Sequence, residues 1–332
     1  MNVIIPLAGF GTRLRPLTFS KPKPLINVAG KPLLGHILDS LVNEQLEEVV
    51  FIVGYLGEQI AQYVKSAYPT LKAHYVEQKE LNGQAPAILL ARELVQGPTI
   101  IVFVDTLADA KLGVLSTEKA DGVIYVKEVE DPRRFGVIKL DEQGFITGFI
   151  EKPSDMSNRQ AVIGMYYVKD IQALMSACAE LIQRDIKTKN EYFLADAFNL
   201  MIEHGAKLRP ESVDVWMDCG KPDTVLATNR YLLEHGQDNS AQWVNNGSVM
   251  IIPPVNIGAN AKIERSVIGP HATIGEGCQI MSSIVSDSVV DAGAYVAGHV
   301  LTNSLIGRDA VLVGRTRRFN VGDSSVVESD AD

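Results

Sequence analysis

Apolar residues recur along this chain in two periods. Val3 to Leu7 is a short apolar run, enough for one buried strand, and Val49 to Val53 and Thr99 to Val104 repeat the type. Between these runs the spacing becomes helical. Leu33 to Leu46 carries Leu34, Ile37, Leu38, Leu41 and Val42 on one face, and Glu58 to Tyr68 and Ala85 to Val95 behave alike; Ala73 to Val76 reads as a further strand. Strands alternating with helices predict an α/β fold with a mainly parallel sheet and helices on both faces. In such sheets ligands collect at the carboxyl ends of the strands, where the strand order reverses.

The pattern changes twice more. Arg134 to Leu140 and Phe145 to Ile150 flank the turn Asp141-Glu142-Gln143-Gly144, which predicts a hairpin setting Phe135-Gly136 beside Ile150-Glu151. Ala161 to Tyr167 is another strand, and Phe193 to His204 an amphipathic helix. From about His235 the chain turns polar, which predicts a linker over 236–248 between a first domain, 1–235, and a second, 249–332. Beyond it Ile257, Ile263, Ile268, Ile274, Ile280, Val285, Val290, Val296, Leu301 and Ile306 recur every five or six positions. That spacing resembles the hexapeptide repeat of a left-handed parallel β-helix, with steps of five shorter than the ideal. A rod of this kind cannot hide its own faces, so a homo-oligomer is expected.

The chain has 332 residues, 46% hydrophobic and 21% charged, long enough for two domains with a sizeable core. A net charge of −9 argues against nucleic acid or an anionic membrane as partner. No apolar run reaches the roughly 20 residues of a membrane span and no signal-like start precedes the first strand, so a cytoplasmic protein is expected. Cys178, Cys219 and Cys278 are too few and too scattered for a disulfide framework or a zinc site.

The chemistry concentrates after the first strand. Gly9 and Gly11 bracket Phe10, letting the backbone turn sharply and bring its N–H groups near a bound group; Arg13, Arg15, Lys21 and Lys23 follow. Backbone donors followed by fixed cations suit a polyphosphate. Asp105 at the end of an apolar run marks either a cleft or a cap. Gln78 carries a side-chain amide able to donate and accept at once, or is a solvated loop residue.

Taken in order, Gly9-Phe10-Gly11-Thr12-Arg13-Leu14, Pro16-Leu17-Thr18 and Pro22-Lys23-Pro24-Leu25 resemble the signature of the sugar-1-phosphate nucleotidylyltransferases, or sugar-nucleotide pyrophosphorylases. The type most similar is the glucose-1-phosphate thymidylyltransferase-like one. Leu7 and Ala8 depart from the Ala-Gly or Gly-Gly of many members, Val104 replaces a glycine, and Gln84 stands where threonine or leucine is common. The resemblance implies the nucleotide-diphospho-sugar transferase fold, Rossmann-like with a mixed sheet, and transfer of a nucleotidyl group from dTTP or UTP to glucose 1-phosphate with release of pyrophosphate. Arg13, Lys23 and Lys152 would be catalytic. Leu7, Gly9, Gly11, Thr12, Arg13, Gln78, Gly83 and Asp105 would bind the nucleotide, and Gly136, Glu151, Lys152, Gly164 and Tyr166 the sugar phosphate. Asp105 and Asp218, the latter in Trp216-Met217-Asp218-Cys219-Gly220, would hold Mg2+. Alternatives are a GTP-dependent mannose-1-phosphate guanylyltransferase, a non-catalytic ligand-sensing or scaffold relative, and an acyltransferase using His271 or His299 of the repeat.

Overall fold

Val3, Ile4 and Ile5 have no access to solvent on either side of their strand, because Asn2–Pro6 (β1) runs through the middle of a nine-stranded sheet. The computed structural model describes residues 1–42, 46 and 48–314. It divides into two units, Met1–Gln237 and a second beginning at Asp238.

In the first unit β1 is flanked by Val49–Val53 (β2) on one side and Thr99–Val102 (β4) on the other, both parallel to it, with Ala73–Glu77 (β3) beyond β2. The order β3-β2-β1-β4 reverses direction between β1 and β4, which makes the switch point at their carboxyl ends. Side chains alternate across this sheet. Ile4, Val50, Ile52 and Ile101 pack into one core with the helices Gln84–Leu89 (α3), Ile171–Gln183 (α4) and Leu194–Glu203 (α5). Val3, Ile5, Val49, Phe51, Ile100 and Val102 pack into another with Leu33–Val42 (α1) and Gly57–Ala67 (α2). Each such residue, buried on folding, contributes about 1.5–3 kcal/mol, so a strand apolar on both faces is held from both sides.

Three differences from the sequence reading have local causes. The helix expected over 85–95 covers only Gln84–Leu89, because Leu90, Ala91 and Leu94 N–H bond three residues back and the chain tightens into turns. The strand expected to run to Val104 stops at Val102: Phe103 N–H bonds to Gly164 O, and Thr106 N–H bonds to Phe103 O, closing a turn. Asp105 therefore sits in that turn. The expected helix 33–46 is seen to Val42, and residues 43–45 lie outside the described ones.

The strand Gln160–Val168 (β9) lies antiparallel to β4 and to Gly122–Glu128 (β6), and Leu208–Ser212 (β10) runs parallel to β6 at the edge. The expected hairpin is Gly136–Leu140 (β7) with Ile146–Glu151 (β8). Its turn forms because Asp141 Oδ1 accepts from Gln143 N and Phe145 N, while Gly144 takes φ +84°. Thr106–Ala108 (β5) and Trp216–Asp218 (β11) form a separate antiparallel pair, followed by Pro222–Leu232 (α6).

Among the described residues the second unit contains three parallel four-stranded sheets. Successive strands of one sheet are separated in sequence by strands of the other two, so the chain winds as a coil. The register advances by 17 residues where Val249 faces Ser266 and by 16 where Val289 faces Leu305. Left-handed residues occupy the corners in columns, among them Arg265 and Ser282, and His271, Asp287 and Asn303. Ile268, Ile274, Ile280, Val285, Val290 and Val296 fill the interior. Asp238 and Asn239 belong to this unit through hydrogen bonds to Val255 and Ile257. The expected second domain extends to 332, and residues 315–332 lie outside the described ones.

Candidate active site

After β1 the chain cannot continue straight. Leu7 N–H still bonds to Ile52 O, but Gly11 enters the left-handed region at φ +61° and opens a one-turn helix, Thr12–Leu14. Thr18 Oγ1 donates to Gly11 O, and a Cβ at Gly11 would lie 3.0 Å from Lys23 Cβ and 3.1 Å from Thr18 Cγ2. The loop is folded on itself with no room for a larger residue. Leu7, Gly9, Gly11, Thr12, Arg13 and Lys23 line one cavity here, together with Gln78, Gly83 and Asp105. Gln78 is buried, and its Nε2 donates to Gly83 O at 3.3 Å.

Lys23 Nζ meets Asp105 Oδ2 at 2.9 Å. Burial by itself would raise the Asp105 pKa, but the charge and hydrogen bond of Lys23, with Arg13 nearby, hold it below the usual carboxylate range. Asp218 approaches from another part of the chain. β11 pairs antiparallel with β5 so that Asp218 faces Thr106, and Cys219 N–H bonds to Asp105 O at 3.0 Å. Asp218 Oδ1 accepts from Gly220 N at 3.0 Å. A Cβ at Gly220 would touch both Asp218 Oδ1, at 2.9 Å, and Arg13 Nη2, at 3.1 Å, so carboxylate and guanidinium crowd the same backbone position. Burial pushes the Cys219 thiol up to about 12, leaving it inert behind this cluster.

A second cavity adjoins the first. Gly136, Glu151, Gly164, Tyr166 and Asp218 line it, and it shares Arg13, Gln84, Phe103 and Asp105 with its neighbour. The hairpin register sets Glu151 opposite Gly136, where a Cβ would lie 3.0 Å from Glu151 Oε2. Burial raises the Glu151 pKa against the lowering pull of Lys152 and, more weakly, Lys189. Gly164 interrupts β9 at φ +82°, with Thr106 Oγ1 and Phe103 Cβ 3.0 and 3.3 Å from where a Cβ would stand. Tyr166 stacks on Phe198 with ring centres 5.2 Å apart, and burial raises its pKa. Lys152, in the left-handed region at φ +50°, bonds its N–H to Phe135 O. Its ammonium lies 3.6 Å from Glu151 Oε1 and 5.2 Å from the Phe193 ring centre, but Lys152 itself lines neither cavity.

Sequence reasoning passed over several lining residues. Trp216 shares a strand with Asp218 two positions away, so the pleat turns both toward the second cavity, and its Nε1 is buried with no partner among the described residues. Arg134 and Phe103 carry no local signal, and Gln84 was visible only as a departure from a motif. In the second unit His271 Nδ1 lies 3.5 Å from Asp287 Oδ1 at one column of corners, while His299 lines a shallow groove beside Arg265 and Ser283.

Two hard carboxylates, Asp105 and Asp218, line one cavity and are of the type an oxygen-preferring cation takes, and Asp105 already holds an ammonium at 2.9 Å. Among the described residues no group of three or more His, Cys, Asp or Glu converges, so phosphate and water would have to complete any such site. Among the described residues no helix is long and apolar enough to cross a membrane.

Comparison with known proteins adds a frame to this geometry. The profile described as nucleotidyl transferase matches residues 2–235. The chain is 33% identical over 230 residues to the UTP–glucose-1-phosphate uridylyltransferase AglF of Haloferax volcanii, covering 67% of this chain and 93% of that protein. It is 28% identical over 358 aligned positions to the glucose-1-phosphate thymidylyltransferase of Streptomyces antibioticus, covering 99% of each. A crystal structure of UDP-glucose pyrophosphorylase complexed with UDP-glucose superposes with a TM-score of 0.62 at 21% identity, over 70% of this chain and 98% of that one, which speaks for the fold.

Proposed function

The chain belongs to the nucleotidyl transferase family, and on that premise we propose that it joins a nucleoside triphosphate, dTTP or UTP, to glucose 1-phosphate, giving the nucleotide sugar and pyrophosphate. An oxygen of the sugar phosphate attacks the α-phosphorus, the new P–O bond forms, and the bond to the β-phosphate oxygen breaks with its electrons leaving on pyrophosphate. A phosphate anion is already a nucleophile, so the protein need only position two polyanions and relieve their repulsion. Arg13 and Lys23 take the triphosphate charge in this reading. Gln78 and the backbone at Gly83 face the base, with Leu7, Gly9, Gly11 and Thr12 against the nucleotide; Gly136, Glu151, Gly164 and Tyr166 surround the hexose, and Lys152, held by Glu151, would meet its phosphate. Asp105 and Asp218 would hold a divalent cation, Mg2+ by their hard oxygens, which when bound neutralises phosphate charge.

The observation that supports the reading is the antiparallel pair β5–β11, whose register bonds Cys219 N–H to Asp105 O, with Arg13, Asp105 and Asp218 all in the lining of one cavity. Pyrophosphate release measured over a matrix of nucleoside triphosphates and sugar 1-phosphates, with and without Mg2+, tests it; no metal-dependent release with any pair would reject it. We read the second unit as a left-handed β-helix and the protein as a homo-oligomer. Met250, Val267, Ile284 and Val300 stand in register on one sheet, mostly exposed, which supports packing of a second copy there. Sedimentation of Ile284→Asp against the natural chain tests that: the variant should be monomeric.

A further inference from the structure

The four residues common to both cavities are Arg13, Phe103, Asp105 and Gln84. Two of them carry full charge and one is apolar. Gln84 alone offers neutral hydrogen-bond donors, and it opens α3 directly after Gly83, whose φ of +127° throws the helix start toward the junction. Its orientation follows from chemistry. Leu194 N–H reaches the Gln84 amide at 3.2 Å, and a backbone N–H can bond only to the oxygen, Oε1. The nitrogen, Nε2, then points away from Leu194 and has no partner among the described residues.

We propose that Gln84 is a specificity-determining residue: its Nε2 donates to the substituent on the hexose carbon next to the anomeric one, so that the preferred substrate is a sugar 1-phosphate bearing an oxygen acceptor there. This rests on the function proposed above. If the nucleotide fills one cavity and the hexose the other, what lies at their shared wall is the two reacting phosphates and the sugar atoms nearest to them. The phosphates already face Arg13 and Lys23, and a neutral amide adds little to full cations. It matters more against a neutral oxygen, because a site built to bond a hydroxyl discriminates strongly against the analogue that lacks one. Near the anomeric carbon the ring oxygen is common to all hexoses. The substituent at carbon 2 is the one that varies.

The test compares kcat/KM for glucose 1-phosphate, N-acetylglucosamine 1-phosphate and 2-deoxyglucose 1-phosphate in the full-length natural chain, Gln84→Leu and Gln84→Glu. Gln84→Glu keeps an oxygen for Leu194 N–H while removing the donors, so it covers the case in which Gln84→Leu fails to fold. The natural chain should favour the 2-oxygenated or 2-acetamido sugar over the 2-deoxy sugar by about tenfold or more, and both variants should bring that ratio within about threefold with KM for the nucleotide unchanged. The same ratio in all three proteins, or an equal loss for every sugar, overturns the role of Gln84 while leaving the transferase standing. No turnover by the natural chain with any pair overturns both.

Discussion

Asp218 faces Thr106 across the antiparallel pair β5–β11, and that register sets Cys219 N–H on Asp105 O at 3.0 Å. Two acidic residues far apart in sequence are thereby tied to one short ribbon. The ribbon is held in turn by Thr106 Oγ1, which donates to Ile163 O next to Gly164. The strand pair carrying Asp218 and the strand β9 that lines the second cavity are therefore mechanically joined.

The Arg13 guanidinium and the Asp218 carboxylate both crowd the Gly220 backbone, and Arg13 lines both cavities. Arg13→Ala should lower turnover on the order of 10²–10³-fold, the usual cost of losing one preorganised donor to developing charge, with the melting curve preserved. Steady-state pyrophosphate release with a calorimetric scan checks it; near-normal turnover rejects the assigned role.

On the proposed function a divalent cation would compete with Lys23 for Asp105, since the ammonium already occupies Oδ2. Lys23→Met should tighten Mg2+ binding to the nucleotide-free protein by about tenfold, the equivalent of one charge-assisted hydrogen bond of ~1.5 kcal/mol, while slowing turnover. Calorimetric titration with Mg2+ is the measurement, and unchanged affinity argues against competition.

Gly83 sits with its Cα against Tyr192: an added Cβ would be 2.6 Å from Tyr192 N, at a φ of +127°. Gly83→Ala should destabilise the protein by about 2–4 kcal/mol from backbone strain and overpacking together. Chemical denaturation reads this directly, and a loss below about 0.5 kcal/mol would show that the contact relaxes freely.

Glu151 is the pH-sensitive member of the site. Burial raises its pKa, so its carboxyl takes up a proton at a higher pH than an ordinary glutamate would. On acidification the sugar phosphate should lose affinity as pH falls through that raised pKa, above the usual range near 4.5. The sign for stability is opposite to that of Asp105. The folded form of Glu151 binds its proton more tightly than the unfolded chain, so its contribution is greatest at low pH and is lost as pH rises through the raised value. Asp105, held low, stabilises above the ordinary carboxylate range, and that stability is lost as pH falls below it. A pH profile of kcat/KM for the sugar phosphate should show an acid limb that Glu151→Gln abolishes, with most of the activity gone throughout.

Much of this molecule could be read from local pattern. The buried run at Val3, the glycine-bent loop through Gly11 and the hairpin that brings Gly136 to Glu151 are set by neighbours in sequence: side-chain period, turn chemistry and the parity of a short loop. The spacing of the aliphatic residues from Ile257 onward likewise announced a coil, because one inward side chain per short strand is a one-dimensional rule. Tertiary structure alone decided the rest. Nothing local tells that Asp105 leaves its strand for a turn, that Lys23 crosses the chain to meet it, or that Asp218 and Trp216 return antiparallel to Thr106–Ala108. Nor does it tell that the amide of Gln84 is oriented by Leu194 N–H, more than a hundred residues on. These depend on the order of strands across the sheet and on burial from both faces, which the whole chain satisfies at once and no single segment encodes.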